Sequence, residues 1–127
     1  MTKEQALHSF WSQFGLTAYE ETSVPSRDGA EYAPEFPYIT YQTATDYFGY
    51  PVALSASLWY RSESWLDINA KTEEIAQKIG RGGTLVHCDD GMLWIMPGTP
   101  FAQNMSDPTD DAIRRKYINI SVEFIIG

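Results

Sequence analysis

The residues best suited to chemistry in this 127-residue chain lie at His87-Cys88-Asp89-Asp90, where four consecutive side chains could each ligate a metal. Their spacing argues against it. Neighbours on a strand point to opposite faces and cannot converge, and a structural zinc needs several thiolates or imidazoles, whereas the chain holds one cysteine and two histidines. The acids of Asp107-Pro108-Thr109-Asp110-Asp111 lack the glycine and terminal glutamate of a calcium loop. Gly80-Arg81-Gly82-Gly83 follows a helical pattern instead of preceding one and lacks a Lys-Ser/Thr ending, so it reads as a helix stop and turn, not a phosphate cradle. A nucleophilic Ser or Cys would need His8 or His87 beside it as base, and no spacing singles out a pair among the 17 acids. No catalytic residue, metal ligand, cofactor site or cofactor is therefore assigned, and the chain is not expected to be an enzyme.

The elements that would carry these residues are easier to read. Trp65, Ile68, Thr72, Ile75, Ala76 and Ile79 fall on one stripe of a helix predicted over Ser64 to Gly80, with Ser64 as N-cap and Gly80 as stop. Asp67 with Lys71 and Glu74 with Lys78 are expected to pair on its solvated side, and Trp65 to lie in the core. A first helix opens with a capping box, Thr2 with Gln5, and repeats Leu7, Phe10, Trp11 and Phe14 before Gly15.

Strands are predicted around these helices. Leu16 to Tyr19 reads as a short strand or an extended lead into a loop from Glu20 to Phe36. Tyr38 to Thr43 and Val52 to Tyr60 form a hairpin around Gly49, and in its second strand Val52, Leu54, Ala56, Leu58 and Tyr60 make the more apolar face. Thr84 to Cys88 and Met92 to Met96 flank the turn Asp89-Asp90-Gly91 as a second hairpin. Pro97 to Pro108 shows no clear period, although Phe101 to Met105 could be extended. Ile118, Ile120, Val122, Phe124 and Ile126 alternate as the buried face of a final strand.

The expected fold is a single domain over residues 1–127. It is an α+β layer structure in which two helices pack on one face of a mainly antiparallel sheet. A hydrophobic content of 43% supports a folded core. The net charge of −8 disfavours nucleic acid and anionic membrane as partners, and no sequence-specific DNA reading is expected. Arg114-Arg115-Lys116 is the local exception, read as a solvated strand end. Cys88 alone cannot form an intramolecular disulfide, no leader pattern opens the chain, and no apolar run would span a bilayer. A soluble protein not exported by a standard signal is expected, which is compatible with a reducing cytoplasm. The remaining signal is aromatic: Tyr47, Phe48 and Tyr50 cluster at the first hairpin's tip, where burial is hard, and read as a contact surface.

The order of elements resembles the small tail-terminator or tail-completion proteins of long-tailed bacteriophages. The similar stretches are Phe36-Pro37-Tyr38-Ile39-Thr40-Tyr41-Gln42 after a short helix and an acidic loop, Ser57-Leu58-Trp59-Tyr60 leading into the second helix, and the last strand, Tyr117 to Ile126. The resemblance implies a non-catalytic virion protein that caps the tail tube and joins tail to head. It would act as a hexameric ring, with copies of itself and tail-tube and neck proteins as partners, in the host cytoplasm during assembly and in the virion's tail or neck afterwards. The tip at Tyr47, Phe48 and Tyr50, and the segment Pro97 to Asp111 with Phe101 and Met105, are the candidate contact surfaces. Another neck or head-closure assembly protein, or a small ligand-binding module without catalysis, would fit the same composition.

Overall fold

The computed structural model describes residues 1–24, 34–43, 50–106 and 110–126. Tyr47 and Phe48 lie outside the described residues, as does Asp107. The elements run α1 (Lys3–Ser12), β1 (Thr17–Glu20), a 3-10 turn (Glu21–Ser23), β2 (Tyr38–Tyr41), β3 (Val52–Arg61), α2 (Leu66–Ile79), β4 (Thr84–Cys88), β5 (Gly91–Ser106) and β6 (Ile113–Ile126). The fold is α+β. None of these helices is long and apolar enough to cross a membrane.

The six strands form one sheet in the order β1-β2-β3-β6-β5-β4. β1 pairs in parallel with β2, and the other four pairings are antiparallel. Laid flat, such a sheet would hold its edges roughly 24 Å apart, more than the ~15 Å length of a ten-residue helix. Yet α1 touches both edge strands, β1 and β4, so the sheet must curl around it.

The concave side of that curl holds the core. Leu7, Phe10, Trp11 and Phe14 of α1 and its exit, with Ile68, Ile75 and Ile79 of α2, meet Ile39, Leu54, Leu58, Leu93, Ile95, Ile118, Ile120 and Val122 of the sheet. The Thr2–Gln5 capping box forms as expected: each side chain accepts from the other residue's backbone N–H. Thr72 sits buried on the α2 stripe because its hydroxyl donates to the Ile68 carbonyl at 2.7 Å, leaving no polar group unpaired.

Several expectations are corrected. α2 begins at Leu66 with Trp65 in the cap position, and Ser64 acts one step earlier by accepting from the Leu66 N–H at 3.0 Å. Lys71 pairs with Glu74, not Asp67, since its ammonium also donates to the Phe14 carbonyl at 2.7 Å and is drawn toward α1. Trp65 is only half-buried, at the rim where Arg114 and Lys116 lie over its ring. Ile126 is 72% exposed, because β6 runs on past the core. The run Arg114-Arg115-Lys116 forms no single patch, since strand alternation sends Arg115 to the convex face and its neighbours to the other.

The largest correction concerns Pro97 to Ser106, which belongs to β5 and pairs with β6. Proline cannot donate to a ladder, but β4 stops pairing at Ile95, so beyond that point β5 has, among the described residues, no strand on that side and a missing N–H is harmless. Between Pro97↔Ile120 and Ala102↔Ile118, five steps along β5 match two along β6. That odd offset reverses which residues face inward and carries Met105 to the convex face.

Gly91 starts β5 where a Cβ would stand 2.0 Å from the Ile125 carbonyl oxygen, a backbone atom that cannot yield cheaply. Gly91→Ala is expected to cost about 2 kcal/mol in urea unfolding through overpacking. Gly82→Ala, with no atom within 4 Å, should stay within about 0.5 kcal/mol.

Candidate interaction surfaces

Among the described residues no helix lies over the convex face of the sheet. Its centre is a ladder of rings and hydroxyls set by register: Tyr38 lies opposite Trp59, and Trp59 opposite Arg115. Tyr38 and Trp59 stack with centroids 6.0 Å apart and 12° between planes, while the Arg115 guanidinium lies 4.6 Å from the Trp59 ring on its other side. Trp59 Nε1 donates to Thr40 Oγ1 at 2.9 Å, Arg115 Nε donates to Ser57 Oγ at 3.0 Å, and Ser55 and Tyr117 share a 2.8 Å hydroxyl contact. Tyr38 is wholly buried by Tyr19, Phe36 and Trp59. This explains why both faces of β3 are buried from Leu54 to Leu58, where alternation alone predicts one. The ladder is a second, thinner core, and at its Ser55–Tyr117 end lies a cleft of about 210 Å³ also lined by Gln42 and Asn119.

Of the predicted contact residues that are described, Tyr50 lies apart from Phe101 and Met105. Tyr50 is 64% exposed beside the Val52 end of β3, which pairs with Val122 near the end of β6. Met105 is 40% exposed near the other end, opposite Arg115. Phe101 is half-buried, and it lines an open cleft of about 360 Å³ with Pro97 of β5 and Glu73, Ala76, Gln77 and Arg81 from α2 and its exit. Sequence reading missed the exposure of Met1, Leu66, Leu85 and Ile126. Leu66 lies off the α2 stripe, a detectable signal; Leu85 is on the outward parity of β4; Ile126 carried the opposite signal.

The residues first considered for chemistry stay apart. His87 and Cys88 point to opposite faces of β4, and burial, the largest influence on Cys88, pushes its thiol up from the ordinary value and away from the reactive thiolate. His8 Nδ1 meets the Tyr41 hydroxyl at 2.9 Å, and desolvation, followed by Glu20, raises that phenol further from ionisation. Asp110 pairs with Arg61 at 2.8 Å and accepts from the Ala112 N–H, so its oxygens serve the turn into β6. Among the described residues no three His, Cys, Asp or Glu side chains are grouped to hold a metal. Burial lowers the Lys116 ammonium from its usual value, and its neighbour Asn104 accepts from it.

No family model matches the chain, and no curated protein matches it. Surface geometry must therefore carry the functional reading.

Proposed function

We propose that this chain is a structural subunit of a long-tailed phage, of the tail-terminator type, which closes the tail tube and joins it to the neck as an oligomeric ring, for which the resemblance implies six subunits. The observation that carries the reading is the position of its exposed apolar residues. Tyr50 and Ile126 lie at one end of the β3–β6 pair, and Met105 lies toward the other, as does Leu66, which follows the end of β3. A head-to-tail ring repeats one contact between two unlike surfaces, and these two ends are unlike. The resemblance in element order supports the same assignment. Its partners would be further copies of itself and the tail-tube and neck proteins, in the host cytoplasm during assembly and in the virion afterwards.

The test is sedimentation of the purified chain alone and with tail tubes assembled from the tube protein of the same genome. A discrete oligomer, or saturable binding at tube ends, is expected. A monomer that ignores tubes would overturn the reading. A ring that binds portal or connector rings but not tubes would transfer the chain to the head-closure class. Tyr50→Asp is expected to weaken assembly by at least about tenfold, as loss of an interface aromatic does. Stability should move by less than about 0.5 kcal/mol, because the ring is already in water. A variant that assembles like the parent would remove this end from the interface.

A further inference from the structure

We propose that the free edge of β4 is completed by the free edge of β1 from a second copy, so that neighbouring subunits share one continuous sheet. This inference rests on the ring reading above and names the strands that make its contact.

β1 and β4 are the two ends of the sheet, and each pairs on one side only among the described residues. The two-residue turn Asp89–Asp90 closes on the pair Cys88↔Gly91, which must therefore be a hydrogen-bonded pair. Alternation then aims the N–H and C=O of Val86 and Thr84 at β5, and those of Leu85 and His87 outward. The next outward residue agrees with this parity: Asp89 N–H donates to the Met1 carbonyl at 2.7 Å, away from β5. Met1 thus satisfies the edge at one point, beside its own ammonium pair with Asp89 at 2.6 Å.

The rest of that edge borders a groove of about 300 Å³. Four consecutive residues, Thr84 to His87, form one wall, and Ser9, Phe10, Gln13 and Lys78 complete the lining. A run of consecutive strand residues along a groove presents main chain, which an extended segment can pair with. Among the described residues lining it, Lys78 and His87 are the only charged or titratable groups, in a chain of net charge −8. An acidic strand suits such a groove, and β1 runs into Glu20 and the exposed Glu21.

Direction and shape also fit. Following the pairings across the sheet, β1 and β4 run the same way, so rotation from one subunit to the next brings them together as a parallel pair. That pair sets the acid end of β1 near His87. β1 stands level with Trp59 to Ala56 of β3, while Thr84 of β4 stands level with Val52, through Ile95 and Val122. The strands must then tilt against the ring axis, as closure of a sheet into a barrel requires.

Two substitutions at one position separate backbone from charge. His87→Pro removes an outward N–H without touching the β4–β5 ladder, so far-UV circular dichroism and the urea midpoint should be retained. Light scattering across a concentration series of the full chain, with and without tail tubes, should find its assembly shifted to at least about tenfold higher concentration. His87→Asp, which keeps the N–H but faces Glu20 and Glu21, should give a similar shift, and adding Glu21→Lys should restore assembly.

The idea fails if folded His87→Pro or His87→Asp assembles at the parent's concentration; a parent ring in that case leaves the ring reading standing. Should His87→Pro fail to fold, the charge pair decides alone: no rescue by Glu21→Lys overturns the pairing. A parent that forms only a dimer, lost in both His87 variants and rescued in the double variant, supports the strand pairing and overturns the ring. A monomeric parent whose tube binding is lost in the variants hands the β4 edge to the tube protein and overturns the pairing between copies.

Discussion

Ile75→Asp is expected to abolish cooperative folding. Ile75 is fully buried in the middle of α2, on the stripe that meets the concave side of the sheet, with Ile68 and Ile79 a turn or two away. Truncating such a side chain costs about 2–5 kcal/mol, and an unpaired carboxylate in its place adds a desolvation penalty. The sum, on the order of 5 kcal/mol or more, reaches the range of a typical domain's whole stability. In urea titration followed by near-UV circular dichroism the variant should have no folded baseline. Gln77→Asp, exposed on the same helix, should unfold within about 0.5 kcal/mol of the parent. A cooperative, native-like transition for Ile75→Asp would mean that α2 does not cover the core.

Trp11→Ala should be the next most damaging change. Trp11 is 1% exposed and packs edge-on against Phe10, with centroids 4.9 Å apart at 78°. Loss of a buried tryptophan costs about 3–5 kcal/mol, which for a domain of this size corresponds to a fall of roughly 10–20 °C in Tm. The reason it should lie at the upper end is topological. α1 is the element that touches both edges of the curled sheet, so loosening it leaves β1 and β4 without their common support. Differential scanning calorimetry decides the matter, and a fall below 5 °C would imply that the curl is held by the strands alone.

The parts of this fold that were legible in the sequence are those written in local periodicity. The stripes of α1 and α2, the Thr2–Gln5 box, the β4–β5 turn and the alternation of β6 from Ile118 to Phe124 all follow from neighbours three, four or two residues away. What escaped depends on residues far apart in the chain. β1 joins β2 in parallel, and nothing local to Thr17–Glu20 announces a parallel partner. Pro97 and Pro100 read as interruptions because the free side of β5 exists only once β4 is known to stop at Ile95. The burial of Ser55 and Ser57 required Tyr117 and Arg115 from β6 to cover them, a pairing invisible from β3 alone.

The candidate surfaces divide in the same way. Tyr50 is exposed, as expected of a residue at the end of a hairpin, and Met105 is exposed although the segment read as irregular is a strand. The exposure of Leu85 and Ile126 was not legible: Leu85 is exposed by the outward alternation of β4, and Ile126 because β6 runs on past the core. Phe101 was read as a surface residue, but the offset in β5 leans it toward α2, where it packs against the core and floors a cleft.

Native mass spectrometry of the full chain, alone and released from purified tail tubes, tests the central claim most directly, because mass reports subunit number without assuming a shape. The account predicts a single closed oligomer, a fixed integer multiple of the 14.4 kDa chain, in at least one of the two samples. A chain that remains at 14.4 kDa in both, or associates into an open-ended series of masses, would contradict it.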